Sequence, residues 1–484
     1  MKLKELLENI EVEEWSASPD MEISDLCYDS RRVKPGSVFV AIPGFETDGH
    51  RFIPAAAENG AAVILCERKP ETDVPFVRVR DSRTALALAS ANLFGHPGDR
   101  MHLIGVTGTN GKTTSTMLIK HMLERCLGAK VGLIGTNQNM IGDKALPAER
   151  TTPESYELQK LLREMADAGC THVVMEVSSH SLVLARVAGL RFSVGLFTNL
   201  TQDHLDFHKT MDEYARAKAL LFAQSEKGGA NVDDPYAPVM LESAACPMLT
   251  WSIRKNDADL VAKDIRLASD GVRFCAVSAE GLARVKLAIP GSFSVYNALT
   301  VIACGLQLGI PLETCCESLS DAQGVKGRME VVPTDGDYTI LIDYAHTPDA
   351  LENVLRALRE TTTGRLVALF GCGGDRDRTK RPIMGKIATE TADFTIITSD
   401  NPRTEDPKDI IADILEGVSC PKSLYKVIID RREAIAWAID NHRSGDVIVL
   451  AGKGHETYQI VGKTKHHMDE REIVAEHLAS RAQT

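Results

Sequence analysis

HLIGVTGTNGKTTST, residues 102–116, joins an apolar run to a helical pattern through a turn made of glycine, threonine, asparagine and lysine. An apolar strand that ends in such a turn and opens a helix is the setting of a phosphate-binding loop. Gly108 and Gly111 let backbone amides of the loop, which includes Thr109 and Asn110, turn inward around phosphate oxygens, and the helix N-terminus adds its positive end. Lys112 then brings a full charge to the β- and γ-phosphates of ATP, Thr113 offers a hydroxyl to Mg²⁺, and Thr114 continues the first helical turn. The spacing departs from the general pattern, because Val106 stands where the first glycine is expected and Gly108 takes up the turn.

Outward from this loop, short apolar runs alternate with helical periodicity. HLIGV (102–106), KVGLI (130–134), HVVMEV (172–177) and SVGLF (193–197) read as buried strands. Between them, ESYELQKLLREMADA (154–168) sets Leu158, Leu161, Leu162 and Met165 on one helical stripe. Such alternation predicts an α/β fold with a parallel sheet covered by helices. The pattern repeats after residue 330, where TILI, RLVALF, FTIIT, KVIID and DVIVL are strand-like and the helix after Pro348 carries Leu351, Val354, Leu355 and Leu358. SVFVAI and AAVILC mark a small α/β unit at the start. Two Gly/Pro-rich stretches, FGHPGDR (94–100) and GVKGRMEVVPTDGDY (324–338), punctuate the chain and divide it into 1–98, 99–329 and 330–484.

Composition narrows the function class. A chain of 484 residues exceeds one ordinary domain, and 67 acids against 55 bases give a net charge of −12, which argues against a nucleic-acid binder. No run approaches the ~18 to 20 apolar residues of a membrane span. The 11 cysteines are scattered with no C-x-x-C pair, as in reduced thiols of a cytoplasmic protein rather than a disulfide framework or structural zinc site.

Two residues near strand ends carry further chemistry. Glu176 closes HVVMEV and His204 follows SVGLFTN, at the carboxyl ends where parallel sheets form ligand crevices. A carboxylate and a neutral imidazole suit a second Mg²⁺ or Mn²⁺, although a helix cap and a loop histidine are equally open readings of the bare residues. Lys218 falls in a helical stretch and by composition reads as a solvated lysine.

TGTNGKTT (107–114) resembles the phosphate loop of the Mur ligase family. Further blocks follow in that family's order: MEVSSHSL (175–182), TNLTQDHLDFH (198–208), YARAKALLF (214–222), GSFSVYNA (291–298), GRME (327–330), DYAHTPDAL (343–351), GCGGDRDRTKRP (371–382), DNPR (400–403) and GKGHE (452–456). The resemblance implies three domains: a small N-terminal UDP-binding α/β domain, a central P-loop ATPase-like domain and a C-terminal Rossmann-like domain for the amino acid. It implies ATP-dependent joining of a carboxylate to an amine through an acyl phosphate, with two Mg²⁺ ions held by Thr113, Glu176, His204 and a CO₂-derived carbamate on Lys218. Asn297, Arg328 and Asp343 resemble nucleotide-contacting residues, and Lys112, Glu176, His204 and Lys218 the catalytic set.

The implied partners are small molecules, with a monomer expected. Ser30 in CYDSRRVKPG, Thr151 and Thr152 of RTTPE, Ser178 and Arg186 resemble the residues that hold UDP-N-acetylmuramoyl-L-alanyl-D-glutamate; Leu184 replaces a glutamine that some relatives carry there. The DNPR form accompanies meso-diaminopimelate in this family, and Asp400, Asn401, Pro402 and Arg403, with Arg376, Gly452 and Glu456, would line its pocket. A guanidinium can grip a second carboxylate through two parallel hydrogen bonds, which lysine as substrate could not use. L-Lysine addition, another Mur-type or folylpolyglutamate ligase, a kinase and a nucleotide-driven switch are the competing readings.

Overall fold

The computed structural model describes the whole chain except residues 45, 46, 72, 269, 323 and 482–484 and the side chains of Leu205 and Asp206. Its contacts divide it into two compact units, residues 1–259 with 300–310 and residues 260–299 with 311–484.

The first unit holds two sheets. A five-stranded sheet runs in the order Val12–Trp15, Phe76–Val79, Val63–Cys66, Ser37–Val40, Asp25–Cys27, with only the first strand antiparallel. The second has six parallel strands in the order Val131–Ile134, His172–Glu176, His102–Thr107, Phe192–Phe197, Ser225–Asn231, Met248–Ser252. The helices Lys112–Leu127 and Ser155–Asp167 lie among its crossovers. Of the predicted stripe, Leu158, Leu162 and Met165 are fully buried and pack with Met175 and Phe192, while Leu161 is half-buried against the same core. A Cβ on Gly132 would stand 2.5 Å from the Met165 sulfur, so the glycine makes the seat for that side chain. At about 1.5 to 3 kcal/mol for each large apolar side chain buried, this stripe fixes the helix on the sheet.

Ser225–Asn231 has no apolar signature in the sequence. Its Gly228 and Gly229 leave room for Phe222, Met248 and Trp251, so its neighbours supply the packing mass. The parallel order brings the strand ends at Thr107, Glu176, Phe197 and Asn231 to one edge, the position of a ligand crevice in such sheets.

The second unit contains an antiparallel meander, Leu260–Ala268, Gly271–Ser278 and Gly281–Leu287. In its last strand Ala283, Val285 and Leu287 are buried while Arg284 and Lys286 are exposed, an alternation the sequence carried and the strand reading above passed over. A six-stranded sheet follows in the order Glu330–Val332, Thr339–Asp343, Val447–Ala451, Leu366–Phe370, Phe394–Ile397, Tyr425–Val427, parallel except for the first strand. KVIID is strand only to Val427: Asp430 accepts the Glu433 amide at 3.0 Å as N-cap of the helix Arg431–Asp440, so the chain turns early. All 11 cysteines are free thiols, and no helix among the described residues is long and apolar enough to cross a membrane.

Candidate active site

The loop Gly108–Gly111 leaves the strand His102–Thr107 and enters the helix Lys112–Leu127. Gly111 adopts φ +84° just before the helix and Gly108 φ +147°, where a Cβ would stand 1.9 Å from Thr198 Oγ1. Only glycine fits there. Val106 remains buried strand, so the turn begins two residues later than in the general pattern. A second loop latches the first. Thr109 N–H donates to Asn199 O (2.8 Å), Asn110 N–H to Asn199 Oδ1 (2.9 Å), Thr198 Oγ1 to Asn110 O (2.7 Å) and Thr201 N–H to Thr109 Oγ1 (3.0 Å). Asp234 holds that latch from behind by accepting the Leu200 amide at 2.8 Å. Asn199 and Thr201 lie inside the quoted block TNLTQDH but were not singled out.

Lys112 Nζ donates to Gly108 O and Thr109 O, both at 2.9 Å, and Lys218 Nζ donates to the same Gly108 carbonyl at 2.9 Å. Lys218 is therefore no solvated lysine. The helix Met211–Ala223 buries it completely, 4.5 Å from the ring centre of Tyr214, whose hydroxyl lies 3.3 Å from Thr109 Oγ1. Burial above all, and then the neighbouring Lys112, push the Lys218 pKa well below the usual lysine range. Composition did not reveal this because the residues that bury Lys218 come from distant segments.

Glu176 ends its strand with a nearly inaccessible carboxylate. It accepts Thr113 Oγ1 (2.9 Å), the Thr136 amide (2.9 Å) and Thr136 Oγ1 (3.0 Å), and Thr136 Oγ1 is 3.0 Å from Thr151 Oγ1. A Cβ on Gly135 would come within 2.6 Å of the same carboxylate. Behind it, Thr152 Oγ1 donates to Glu176 O (2.8 Å) and accepts the Ser178 amide (3.2 Å). Arg186 donates to Thr152 O at 3.3 Å and pairs with Glu154 at 2.7 Å. The network thus runs unbroken from Thr113 to Thr151, Thr152, Ser178 and Arg186. Thr136 was not anticipated; an isolated threonine in GTNQN carries no pattern.

Thr113 and Glu176 present a hydroxyl and a carboxylate side by side, oxygen donors of the kind Mg²⁺ takes alongside water and phosphate oxygens. His204, at φ +53°, lies beside Asp203 (3.3 Å) and against His180, with ring centroids 4.8 Å apart. No group of three or more His, Cys, Asp or Glu side chains among the described residues is placed to hold a metal.

A cleft of about 980 Å³ in the same unit is lined by residues 25–29 and 31–34 and by residues drawn from 139–161, with Ser30 itself outside the lining. Ser30 is buried at the start of a short helical turn, Ser30–Arg32, with its carbonyl taken by Asn59 Nδ2 at 2.9 Å. Its neighbours Asp29 and Arg31 line the wall, opposite Arg150 and Glu154.

In the second unit, Asn297 is buried in the helix Phe293–Gln307. Asp343 ends its strand, accepting the amides of Met329 and Ala345 at 2.8 Å each; burial raises its pKa, while Arg328 and the two amides oppose the rise. Arg328 lies over Tyr344, 5.0 Å from its ring centre, and Tyr344 faces His455 at 4.9 Å. DNPR follows the strand Phe394–Ile397. Asn401 is held by Glu456 (2.9 Å) and Lys453 (3.1 Å), and Lys453 bonds Glu456 at 2.9 Å and is wholly buried. Lys453, within GKGHE, thus joins the candidate site as a buried cation between Asn401 and Glu456. Gly452, at φ +115°, allows Asp400 to approach: a Cβ would sit 2.6 Å from its carboxylate. Arg403 donates to Gly374 O at 2.8 Å, and a Cβ on Gly373 would be 2.9 Å from Arg403 Nη1 and 3.8 Å from Arg376 Cγ, so both arginines flank one glycine turn. Gly374 is pressed against Pro402, whose carbonyl would be 1.9 Å from a Cβ. Arg381, fully buried, clamps this turn through Glu405 (2.8 and 2.9 Å), Asp413 (2.7 Å) and Gly373 O (3.2 Å), and holds the Glu405 pKa down to about 2.

Three family descriptions match the chain: "Mur ligase family, catalytic domain" over residues 22–93, "Mur ligase middle domain" over 106–305 and "Mur ligase, glutamate ligase domain" over 327–454. The chain belongs to the Mur ligase family. It is similar to the UDP-N-acetylmuramoyl-L-alanyl-D-glutamate--2,6-diaminopimelate ligase of Clostridium botulinum, at 49% identity over 94% of this chain and 95% of the relative. The protein of the same description from Caldanaerobacter subterraneus is 48% identical over 99% of both chains. A solved structure described as that ligase shares 33% identity and superposes with a TM-score of 0.76 over 100% of each chain. MurF from Acinetobacter baumannii, 20% identical with a TM-score of 0.62 over 99% of this chain and 98% of that one, shares the fold.

Proposed function

We infer that this Mur ligase joins 2,6-diaminopimelate, in its meso form, to UDP-N-acetylmuramoyl-L-alanyl-D-glutamate at the expense of ATP, a step of cytoplasmic peptidoglycan precursor synthesis. The near-full-length identity to ligases of that description carries the reading. Arg403 of DNPR, with Arg376 on the same glycine turn, supports the choice of amino acid.

The chemistry is carboxylate activation. An oxygen of the glutamate carboxylate attacks the γ-phosphorus, and ADP leaves. The amine of diaminopimelate then attacks the acyl carbon, and the tetrahedral intermediate expels phosphate and leaves an amide. This chain's residues act by holding the partners and offsetting charge. The amides of Thr109 and Asn110 are taken by Asn199, so the helix N-terminus after Gly111 and the Lys112 ammonium are what face the phosphates. Thr151, Thr152, Ser178 and Arg186 set the muropeptide carboxylate next to them, since one hydrogen-bond network already joins the two groups. Ser30 is buried between Asp29 and Arg31 of the cleft wall, the segment that serves the uridine end. Asn297, Arg328 and Asp343 are the further residues that serve the nucleotide. Arg403 and Arg376 take the distal carboxylate of diaminopimelate, and Glu456, oriented by Lys453 and Asn401, takes an ammonium group. Mg²⁺ held by Thr113 and Glu176, with a second ion near His204, would neutralise phosphate charge. ADP release should require both the muropeptide and the amino acid; a kinase would release it with the acid alone and leave a stable phosphorylated product.

Lys218 fits the carbamate. CO₂ adds to a neutral amine, and burial beside Lys112 favours the neutral form. The Lys218→Ala protein should be inactive, and acetate or formate should restore part of its turnover by returning a carboxylate to the space. Chloride at equal ionic strength should restore none. Full activity of the variant without additive, or wild-type protein whose Lys218 is unmodified during turnover, would remove the carbamate.

A further inference from the structure

At the other ends of the two central strands, away from the phosphate loop, two imidazoles stand side by side. His102 opens the strand His102–Thr107, His172 opens its parallel neighbour His172–Glu176, and the two are partners in register. Their ring centroids are 5.0 Å apart, with planes 30° from parallel. Each Nδ1 has a hydroxyl partner: Thr171 Oγ1 lies 2.8 Å from that of His172 and Ser193 Oγ 3.2 Å from that of His102. With Nδ1 engaged in both rings, Nε2 is the nitrogen each offers to a ligand.

The spacing suits two rings on one metal ion. An imidazole nitrogen sits about 2.0 to 2.1 Å from zinc and its ring centre about 1.1 Å beyond, so two rings around a tetrahedral centre have centroids about 5 Å apart. The hydroxyls hold ring orientation, and each can accept the Nδ1 proton that leaves Nε2 open to an ion.

We propose that His102 and His172 form a binding site for a divalent transition metal with imidazole preference, Zn²⁺ or Ni²⁺, with water completing the coordination. It is independent of the ligase reading. Glu176 is four residues further along the strand, about 13 Å at about 3.3 Å per residue, so the two sites do not share ligands. Mg²⁺ prefers oxygen ligands and would not compete. The ion would tie together the first residues of the strands that lead to the phosphate loop and to Glu176.

The test is calorimetric titration of Ni²⁺ into the full chain in excess Mg²⁺, for wild type, His102→Gln and His172→Gln, with thermal melts of each. Other histidines and thiols take up Ni²⁺ equally in all three, so the difference isolates this pair. Wild type should bind one more equivalent than either variant, or bind it at least ~10- to 100-fold more tightly, the loss that removal of even an outer partner brings. Ni²⁺ should raise the wild-type Tm and raise that of the variants less. Activity in Mg²⁺ alone should be the same in all three. Because His102 is exposed, His102→Gln gives a folded comparison even if His172→Gln does not. Equal stoichiometry, affinity and Tm response in wild type and His102→Gln would overturn the site.

Discussion

Lys112→Ala should lower the turnover of ligation by ~10² to 10³ at saturating ATP while leaving the fold intact, the loss typical of removing one preorganised electrostatic contact from a transition state. The loop would keep its shape without the lysine. The lysine's two bonds to Gly108 O and Thr109 O are lost, but the turn is also set by Gly108 against Thr198, by the amides of Thr109 and Asn110 on Asn199 and by Lys218 on Gly108 O. What disappears is the charge beside the migrating phosphoryl group. Steady-state turnover checks the first half, and an unchanged thermal melt the second. Retention of more than about a tenth of wild-type turnover would show that the loop does not carry the phosphoryl transfer, given the size of that contact.

Arg403→Ala should collapse kcat/KM for meso-diaminopimelate by ~10² or more and leave the already poor lysine reaction and the KM for ATP nearly unchanged. Diaminopimelate differs from lysine by a distal carboxylate, and a charge-assisted hydrogen bond contributes about 1.5 to 3 kcal/mol. Two bonds of one fork do not add fully, and each ~1.4 kcal/mol is a factor of ten. Arg403 also donates to Gly374 O, so part of the loss could come from a loosened turn. Arg403→Lys separates the two effects: it keeps the charge and loses the fork, and should recover little of the discrimination. Wild-type efficiency in Arg403→Ala with diaminopimelate would break the link between DNPR and the substrate.

The phosphate loop was legible because its chemistry is local: strand, glycine turn, lysine and helix lie within fifteen residues of one another. The stripe Leu158, Leu162, Met165 was legible because period and burial are the same signal. What escaped depended on distant neighbours. Ser225–Asn231 is a strand because Gly228 and Gly229 admit side chains from Met248 and Trp251, which no property of SEKGGAN announces. Lys218 and Lys453 look like surface lysines in sequence, yet both are buried and both orient site groups, Gly108 and Glu456 respectively. Thr136 enters the site only because the strand Val131–Ile134 pairs beside Glu176's strand. The meander strand Gly281–Leu287 was readable from its alternation, and KVIID overran because Asp430 had a competing role as a helix cap.

The most direct measurement gives the purified chain ATP, Mg²⁺ and UDP-N-acetylmuramoyl-L-alanyl-D-glutamate with meso-diaminopimelate and L-lysine in equal amounts, and weighs the product. A single new amide carrying diaminopimelate is expected, with one ADP and one phosphate released per amide. A product carrying mainly lysine would contradict the assigned substrate, and nucleotide turnover that forms no amide would contradict the ligase itself.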